Sequence, residues 1–247
     1  MVMTMEKVKG LDVNYVDYGN SEGDTILFLH GWGQNIEMMK PIGDAFKKEY
    51  RIVIVDLPGF GDSKEPNSVW SLYDYVDFVH ELTKKLNIDN PILFGHSFGG
   101  KISLLYASAY PVKKLIVCGS PFRKEIKKLS MKTKILKSLK KVPGLNKLEE
   151  VAKKHIGSTD YRQASKLMRE ILVEHVNLDI TEEVKKIKSS TLIIWGDQDQ
   201  AVPLECAYEL EKLIPDAGVV LYPSCTHYAY LEGLKKTINV VRVFLES

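Results

Sequence analysis

Short, continuous runs of Val, Ile and Leu recur along this chain, and longer amphipathic stretches separate several of them. Such runs are typical of strands that are buried on both faces of a sheet. Alternation with helices predicts the α/β fold class, with a mostly parallel eight-stranded sheet and helices on both faces. The strand candidates are residues 5–10, 11–19, 25–31, 51–59, 91–97, 114–120, 191–197 and 218–224.

Four stretches between these runs have helical patterns. The strand candidate at 11–19 alternates more clearly between apolar and polar residues than the others do, so it and its neighbour are predicted to form the antiparallel edge of the sheet. The predicted helices are residues 71–86, 98–110, 205–214 and 234–246.

Residues 121–178 interrupt this rhythm, because they contain no convincing strand and many lysines in helical patterns. The stretch lies between two strand candidates, so it is predicted to be an insertion and not a terminal domain. The expected organisation is one core domain formed by residues 1–120 and 179–247, with an inserted helical lid (cap) at 121–178.

The overall composition fits one domain, because 247 residues suffice for a single sizeable core. A net charge of only +2 and basic stretches without interleaved aromatic residues argue against nucleic-acid binding. Three cysteines, an odd and low number, argue against a disulfide framework and fit a reducing compartment. Since we find neither a signal peptide nor a run long enough to span a membrane, we expect no membrane partner and a cytoplasmic location.

Residues 95–99 have the sequence Gly-His-Ser-Phe-Gly, which fits the G-x-S-x-G pattern of a nucleophile elbow. A strand pattern precedes this motif and a helical pattern follows it, as such an elbow requires. The sharp turn needs small residues two positions before and after the serine, because larger side chains would collide. Ser97 is therefore the candidate nucleophile. The alternative is a glycine-rich turn with an incidental serine.

A serine hydroxyl is a weak nucleophile until a neighbouring base accepts its proton. Of six histidines, His227 follows the last strand candidate by a few residues, where parallel sheets commonly place their sites. His227 is therefore the candidate base. The side chain of His96 is expected to point away from the nucleophile. Three others are predicted to be solvated or structural: His80, His155 and His175.

The candidate acid that orients His227 lies in residues 196–203, Gly-Asp-Gln-Asp-Gln-Ala-Val-Pro. Asp197 directly follows the glycine at the strand end and is expected to shape the turn. Asp199 lies further out, beside a Val-Pro segment that stiffens the loop, and is the preferred candidate. The resulting chain order of serine, aspartate and histidine is the order that nucleophile-elbow hydrolases use.

An oxyanion hole needs two backbone N–H groups directed at one point. One donor is expected from Phe98, which directly follows the candidate nucleophile. The second is expected from Trp32, in the turn His-Gly-Trp-Gly at residues 30–33 that follows an early strand candidate. The alternative is a simple strand-to-helix turn in which Trp32 only packs. Trp32, Phe98 and Phe122 are also candidates to line an apolar substrate pocket.

Taken together, these motifs resemble the α/β-hydrolase family from about residue 10 to the end of the chain, outside the insertion. The resemblance favours Asp199 over Asp197, implies a lid after the sixth strand, and implies a structural role for the loop that contains Asp56. Thr226 departs from the glycine that is common before the family's histidine. The motifs that carry the resemblance are HGWG (30–33), DLPGFGDS (56–63), GHSFGG (95–100), GDQDQAVP (196–203) and the loop around His227.

The sequence therefore predicts a serine hydrolase that cleaves carboxylic esters through an acyl-enzyme at Ser97, with His227 as base and Asp199 as orienting acid. No cofactor or metal is expected, because no His/Cys cluster has zinc spacing and no glycine-rich stretch matches a phosphate-binding signature. Two alternatives remain: a carbon–carbon bond hydrolase with the same three residues, and a small-molecule receptor or signalling module on the same fold.

Residues 123–154 carry twelve Lys and Arg against three acidic residues. A basic lid over an uncharged pocket would attract anionic partners. The alternative, which we favour, is a solvated face that keeps the lid soluble. The anionic partner would be a small anionic ester or an acidic acyl carrier protein that presents an acyl ester or thioester. The second possibility follows from a resemblance in motifs and size to the pimeloyl-carrier methyl esterases.

Overall fold

The computed structural model describes residues 3–124 and 164–247. One sheet contains eight strands in the order β1-β2-β4-β3-β5-β6-β7-β8, and all neighbouring pairs from β4 to β8 are parallel. This arrangement confirms the predicted α/β class and its mostly parallel sheet. The strands are β1 Met3–Val8, β2 Leu11–Gly19, β3 Thr25–Leu29, β4 Arg51–Val55, β5 Ile92–His96, β6 Lys114–Cys118, β7 Thr191–Gly196 and β8 Ala217–Tyr222.

The antiparallel edge lies where the sequence predicted it, because β2 pairs antiparallel with both β1 and β4. The edge strand β1 ends two residues before the predicted strand at 5–10 does. Lys9 and Gly10 both have positive φ, 48° and 79°, and connect the two strands as a tight turn. A two-residue hairpin turn requires this backbone conformation, so these residues leave the strand.

Strand side chains alternate between two apolar layers, one on each face of the sheet. Leu27 and Val53 belong to one buried cluster, whereas their sequence neighbours Ile26 and Ile52 belong to the other. This alternation follows from the two-residue period of a strand and explains why the strands are apolar throughout.

Helices cover both faces, as predicted. The second to sixth helices pack against the layer that contains Leu27, and the first, seventh and eighth pack against the layer that contains Ile26. Numbered over the described residues, the helices are α1 Ile36–Phe46, α2 Leu72–Lys85, α3 Ser97–Ala109, α4 Lys166–Asn177, α5 Thr181–Val184, α6 Glu205–Leu213, α7 Ala229–Glu232 and α8 Leu234–Glu246.

Helix α1 was not predicted from the sequence, because Pro41 lies inside it. A proline in a helix interior removes one backbone hydrogen bond and normally disfavours the helix. Here the Asn35 side chain caps the first turn by accepting from the N–H of Glu37. The buried side chains of Ile36 and Phe46 add apolar packing that outweighs the local cost.

Most of the predicted lid lies outside the described residues, so its boundaries at 121 and 178 stay predictions. Its described part contains α4, in which Met168 and Ile171 are buried against the core. Within the described part of the chain, we find no helix with the length and apolar character that a membrane span needs.

Candidate active site

The turn between β5 and α3 has the backbone geometry of an elbow. Ser97 is the first residue of α3 and has a φ of 49°, which is unusual for a residue with a side chain. A Cβ atom at Gly99 would collide with the carbonyl oxygens of Leu29 and His30. The glycine therefore lets the start of α3 press against the end of β3 while the strained turn holds Ser97 in place.

The two segments with the predicted oxyanion donors meet at the same point. The N–H of Gly99 donates to the carbonyl of His30 over 3.1 Å, which joins the start of α3 to the loop that contains Trp32. The backbone N–H of Trp32 itself donates to no other described residue. Trp32 and Phe98 thus lie on adjoining segments, and their rings are in edge-to-face contact with centroids 5.2 Å apart.

His30 holds this loop in place through both ring nitrogens. Its Nε2 accepts from the N–H of Leu57 over 3.0 Å, so its Nδ1 carries the proton and donates to the carbonyl of Gly31 over 2.7 Å. Burial lowers the pKa of His30 to about 4, which keeps the ring neutral. His30 is therefore a structural residue of the turn.

Asp199 and His227 are in direct contact, with 2.7 Å between Oδ2 of the carboxylate and Nδ1 of the imidazole. The other carboxylate oxygen, Oδ1, accepts from the backbone N–H groups of Ala201 and Val202 over 2.8 and 2.9 Å. The Asp199 side chain is only 1% exposed. Because Nδ1 donates to the carboxylate, a neutral His227 has its lone pair on Nε2, as a base requires.

His96 faces His227, with ring centroids 4.8 Å apart. Its Nε2 donates to the backbone carbonyl of His227 over 2.9 Å, and Oε1 of Gln34 lies 3.2 Å from its Nδ1. Burial, and then the neighbouring His227, lower the pKa of His96 to about 3, so the ring is neutral. This contact joins the residue before Ser97 to the segment that contains His227.

Two carboxylates stabilise the loops around His227 from outside. Glu232 accepts from both the backbone N–H and the hydroxyl of Thr226, the residue that departs from the family pattern. Asp197 is exposed and accepts from the N–H of Ser224 over 2.7 Å. Asp197 thus shapes the turn, as the sequence indicated.

The buried carboxylate of Asp56 holds the DLPGFGDS loop in place. Asp56 accepts from the side-chain amide of Asn14 over 2.8 Å and from the N–H of Asp62 over 3.0 Å. Its second oxygen accepts from the N–H of Ile36 at the start of α1 over 2.8 Å. Asp56 therefore links three segments at the sheet edge, which agrees with the structural role that was expected of it.

Aromatic side chains pack around Trp32 and Phe98. The ring of Phe98 contacts those of Tyr75 and Phe60, with centroids 5.0 and 6.0 Å away. Phe98 and Phe122 are buried in the core, whereas Trp32 is half-buried. Lining of a substrate pocket by these three residues stays a prediction.

Two buried polar residues, His175 and Lys101, were assigned no role in the site by the sequence analysis. His175 was predicted to be solvated or structural, and it is buried against Trp32 and Phe98. Lys101, four residues after Ser97 on α3, is 1% exposed and donates to the backbone carbonyls of His175 and Leu178 over 2.8 and 2.6 Å. The position of Lys101 in an otherwise apolar helix is the one sequence signal for this contact.

The site has no obvious metal centre in its described part, where we find no group of three or more His, Cys, Asp or Glu side chains close enough to hold an ion. The remaining predicted histidine, His155, lies outside the described residues.

Comparisons with known proteins agree on one family. The profile described as alpha/beta hydrolase fold matches residues 24–139 and 130–234. Lipase 1 of Psychrobacter immobilis is 27% identical over 270 residues, which cover 98% of this chain and 83% of that protein. The 2-hydroxy-6-oxo-6-(2'-aminophenyl)hexa-2,4-dienoic acid hydrolase of Metapseudomonas resinovorans is 24% identical, covering 96% of this chain and 88% of that protein.

Among solved structures, the esterase EaEST from Exiguobacterium antarcticum is similar over 100% of both chains, with a TM-score of 0.80 and 22% identity. A likeness at this level of identity shows a shared fold.

Proposed function

Because the chain belongs to the α/β-hydrolase fold family, we propose that it is a serine hydrolase that cleaves carboxylic esters through an acyl-enzyme at Ser97. That the chain is a hydrolase follows from the family and from its lipase and hydrolase relatives. The proposal adds the bond that is cleaved and the residues that cleave it. A small-molecule ester as substrate and a cytoplasmic location are part of this proposal.

The contact between Asp199 and His227 is the observation that carries the proposal. It sets the tautomer in which Nε2 of His227 accepts the proton of Ser97 as the hydroxyl attacks the ester carbonyl. His227 then returns that proton to the leaving alcohol, and the acyl group stays on Ser97. Water, deprotonated by the same imidazole, attacks the acyl-enzyme, and the imidazole returns that proton to the Ser97 oxygen as the acid is released.

The negative charge on the tetrahedral intermediate would be stabilised by the backbone N–H groups of Trp32 and Phe98. The close approach of the two segments at Gly99 supports this assignment, because donors must converge on one oxygen. The start of α3 adds the positive end of its helix dipole.

Labelling with a fluorophosphonate and turnover of p-nitrophenyl butyrate test the proposal together. Wild-type protein is expected to be labelled and active, and Ser97→Ala to lose both properties. Ser108→Ala is the matched control, because Ser108 lies on the same helix and only donates to the carbonyl of Leu105. Label on another residue, or equal turnover by Ser97→Ala, would refute the assignment.

Carbon–carbon bond hydrolysis is the second candidate. The name of the relative from Metapseudomonas resinovorans describes it as a hydrolase of a dienoic acid that carries a ketone. The same three residues would serve both reactions. Relative kcat/KM values for simple alkyl esters and for such vinylogous diketones decide between them.

The possibility of an acidic acyl carrier protein as partner stays a proposal, because the basic residues that suggested it lie mostly outside the described residues. Within the described part, Arg123 pairs with Glu209 through two nitrogens, 2.6 and 2.9 Å from the carboxylate oxygens. Equal cleavage of carrier-linked and free acyl methyl esters at low salt would contradict this partner.

A further inference from the structure

His175 places a polar ring against the two residues proposed to form the oxyanion hole. Its ring lies edge-to-face on Phe98, with centroids 4.7 Å apart, and parallel to the indole of Trp32, with centroids 6.5 Å apart. The residue is only 6% exposed. The side chains that His175 contacts belong to the two residues whose backbone N–H groups would bind the carbonyl oxygen of an ester.

The Nδ1 atom of His175 is buried and has no hydrogen-bond partner. Burial, and then the positive charge of Lys101, lower the pKa of His175 well below its usual range, so the ring is neutral. A neutral imidazole has one nitrogen that donates and one that accepts. Buried polar groups are normally paired, and this nitrogen has no protein partner. It is therefore available to form a hydrogen bond with a ligand.

The position of His175 is fixed by α3, the helix that begins with Ser97. Lys101 binds the backbone carbonyls of His175 and Leu178, at the end of α4, and thereby attaches this part of α4 to the helix of the candidate nucleophile. The backbone that carries the ring is therefore held in place before any ligand arrives, which favours recognition over simple filling of space.

An unpaired nitrogen alone does not place a histidine beside the candidate active site, as His80 illustrates. Its Nδ1 is also buried and unpaired, but its ring stacks on Tyr110, with centroids 3.9 Å apart. Tyr110 follows the last residue of α3, roughly 20 Å from Ser97 at the usual rise per residue. Location beside the candidate oxyanion hole is what distinguishes His175.

We propose that His175 is a specificity-determining residue that hydrogen-bonds an uncharged oxygen of the substrate, a hydroxyl, ether or ketone oxygen close to the scissile bond. This inference rests on the proposed function, since it names the substrate class of the same site. A carboxylate is a poor fit, because burying a charge between Trp32 and Phe98 beside a neutral ring is costly.

The first test uses pairs of esters that differ by one oxygen in place of one carbon. Hydroxyethyl butanoate against propyl butanoate places the oxygen in the alcohol part, and ethyl methoxyacetate against ethyl butanoate places it in the acid part. The preference in kcat/KM for the oxygen-bearing ester is expected to fall about fivefold in His175→Phe for one of the two pairs. Comparison with wild type cancels the intrinsic reactivity of each ester.

Two further variants control this measurement. His175→Gln retains an amide that can reach the same oxygen, so it is expected to keep part of the preference. His80→Phe changes a histidine of α2 that packs beside the far end of α3, so it is expected to keep the whole preference. Unchanged preference in His175→Phe for both pairs would overturn the proposal. So would a change confined to monoethyl succinate, measured against ethyl pentanoate, because that result would indicate recognition of a charge.

A binding experiment separates failure of this inference from failure of the proposed function. N-hydroxyethyl butanamide and N-propyl butanamide mimic one ester pair, N-ethyl methoxyacetamide and N-ethyl butanamide mimic the other, and their affinities for Ser97→Ala are measured by calorimetry. The oxygen-bearing amide of one pair is expected to bind about fivefold more tightly, and the difference to vanish when His175→Phe is added. Absence of ester turnover would refute only the proposed function, whereas equal affinities within both pairs would refute the role of His175.

Discussion

The two sides of the candidate site are stabilised by different interactions. On the acid–base side, formed by Asp199, His227 and His96 with their loops, directional hydrogen bonds fix each ring and carboxylate. On the aromatic side, formed by Trp32, Phe98 and His175, contact is mainly between rings, and the Nδ1 of His175 is unpaired.

This difference matches what each side is proposed to do. Proton transfer requires one tautomer and a distance set within a fraction of an ångström, and hydrogen bonds supply that geometry. Substrate binding requires a shaped apolar wall with a few polar groups, and packed rings supply it. Asp199 and His227 are thus held by hydrogen bonds to protein groups, whereas the aromatic side has a polar atom without a protein partner.

The largest expected effect comes from a substitution of Asp199, the acid of the acid–base side. In Asp199→Asn, the amide oxygen is expected to accept from Ala201 and Val202 as Oδ1 does now, which turns the amide NH₂ toward His227. The imidazole would then carry its proton on Nε2 and could not act as base. We expect kcat for ester hydrolysis to fall roughly ten-thousand-fold.

Asp197→Asn is the matched control, because Asp197 lies on the same loop but is exposed and only accepts from Ser224. Its kcat is expected to stay within about twofold of wild type, as is usual for surface substitutions. Similar losses in the two variants would mean that Asp199 does not orient the base.

The next effect concerns the buried cation of the aromatic side. Burial lowers the pKa of Lys101 from 10.5 to about 8. Between these two values the unfolded chain binds more protons than the folded protein, so the free energy of unfolding rises with pH in that window. Lys101→Met removes this rise, which amounts to roughly 3 kcal/mol between pH 8 and 10.5.

Urea unfolding of both proteins from pH 7 to 11 measures this difference, with Lys84→Met as the control for loss of an exposed positive charge. The gap between wild type and Lys101→Met should change with pH by much more than the gap between wild type and Lys84→Met does. A parallel pair of curves for Lys101→Met would show that its ammonium is not desolvated in the folded protein.

A smaller effect tests the contact between His96, the residue before Ser97, and the backbone of His227. His96→Phe keeps an aromatic ring beside His227 but removes the hydrogen bond to its backbone carbonyl. The resulting shift of the His227 loop is expected to lower kcat about 10- to 100-fold with little change in KM. His80→Phe serves as control, and an undiminished kcat would show that Asp199 alone positions the base.

The smallest effect belongs to the exposed surface of the acid–base side. Thr226→Val removes the hydroxyl that donates to Glu232, while the backbone N–H of residue 226 still donates to the same carboxylate. Exposed polar contacts contribute little, so the free energy of unfolding is expected to change by less than about 0.5 kcal/mol. A tenfold loss of kcat/KM would show that this contact positions His227.

Local patterns predicted most of the fold and indicated three candidate site residues, whose roles stay a proposal. Residues close together in the sequence specify the buried strands and the strand–turn–helix elbow. The sheet, the α3 helix and the position of Ser97 could therefore be predicted directly. Helix α1 escaped prediction because its stability comes from a cap and from buried side chains that outweigh the effect of Pro41. The apolar pattern also did not reveal the hairpin turn at Lys9 and Gly10. Their positive φ angles end β1 two residues earlier than predicted.

The sequence by itself determined which residue types are present at the carboxyl ends of which strands, because the succession of strands along the chain and the positions of the loops follow from short-range periodicity. Only the tertiary structure decided which side chains meet. His96 contacts a carbonyl 131 residues away, and Lys101 one 74 residues away. Such pairs depend on how whole layers pack, since the direction of a buried side chain is set by its neighbours in space and not by its neighbours in the chain.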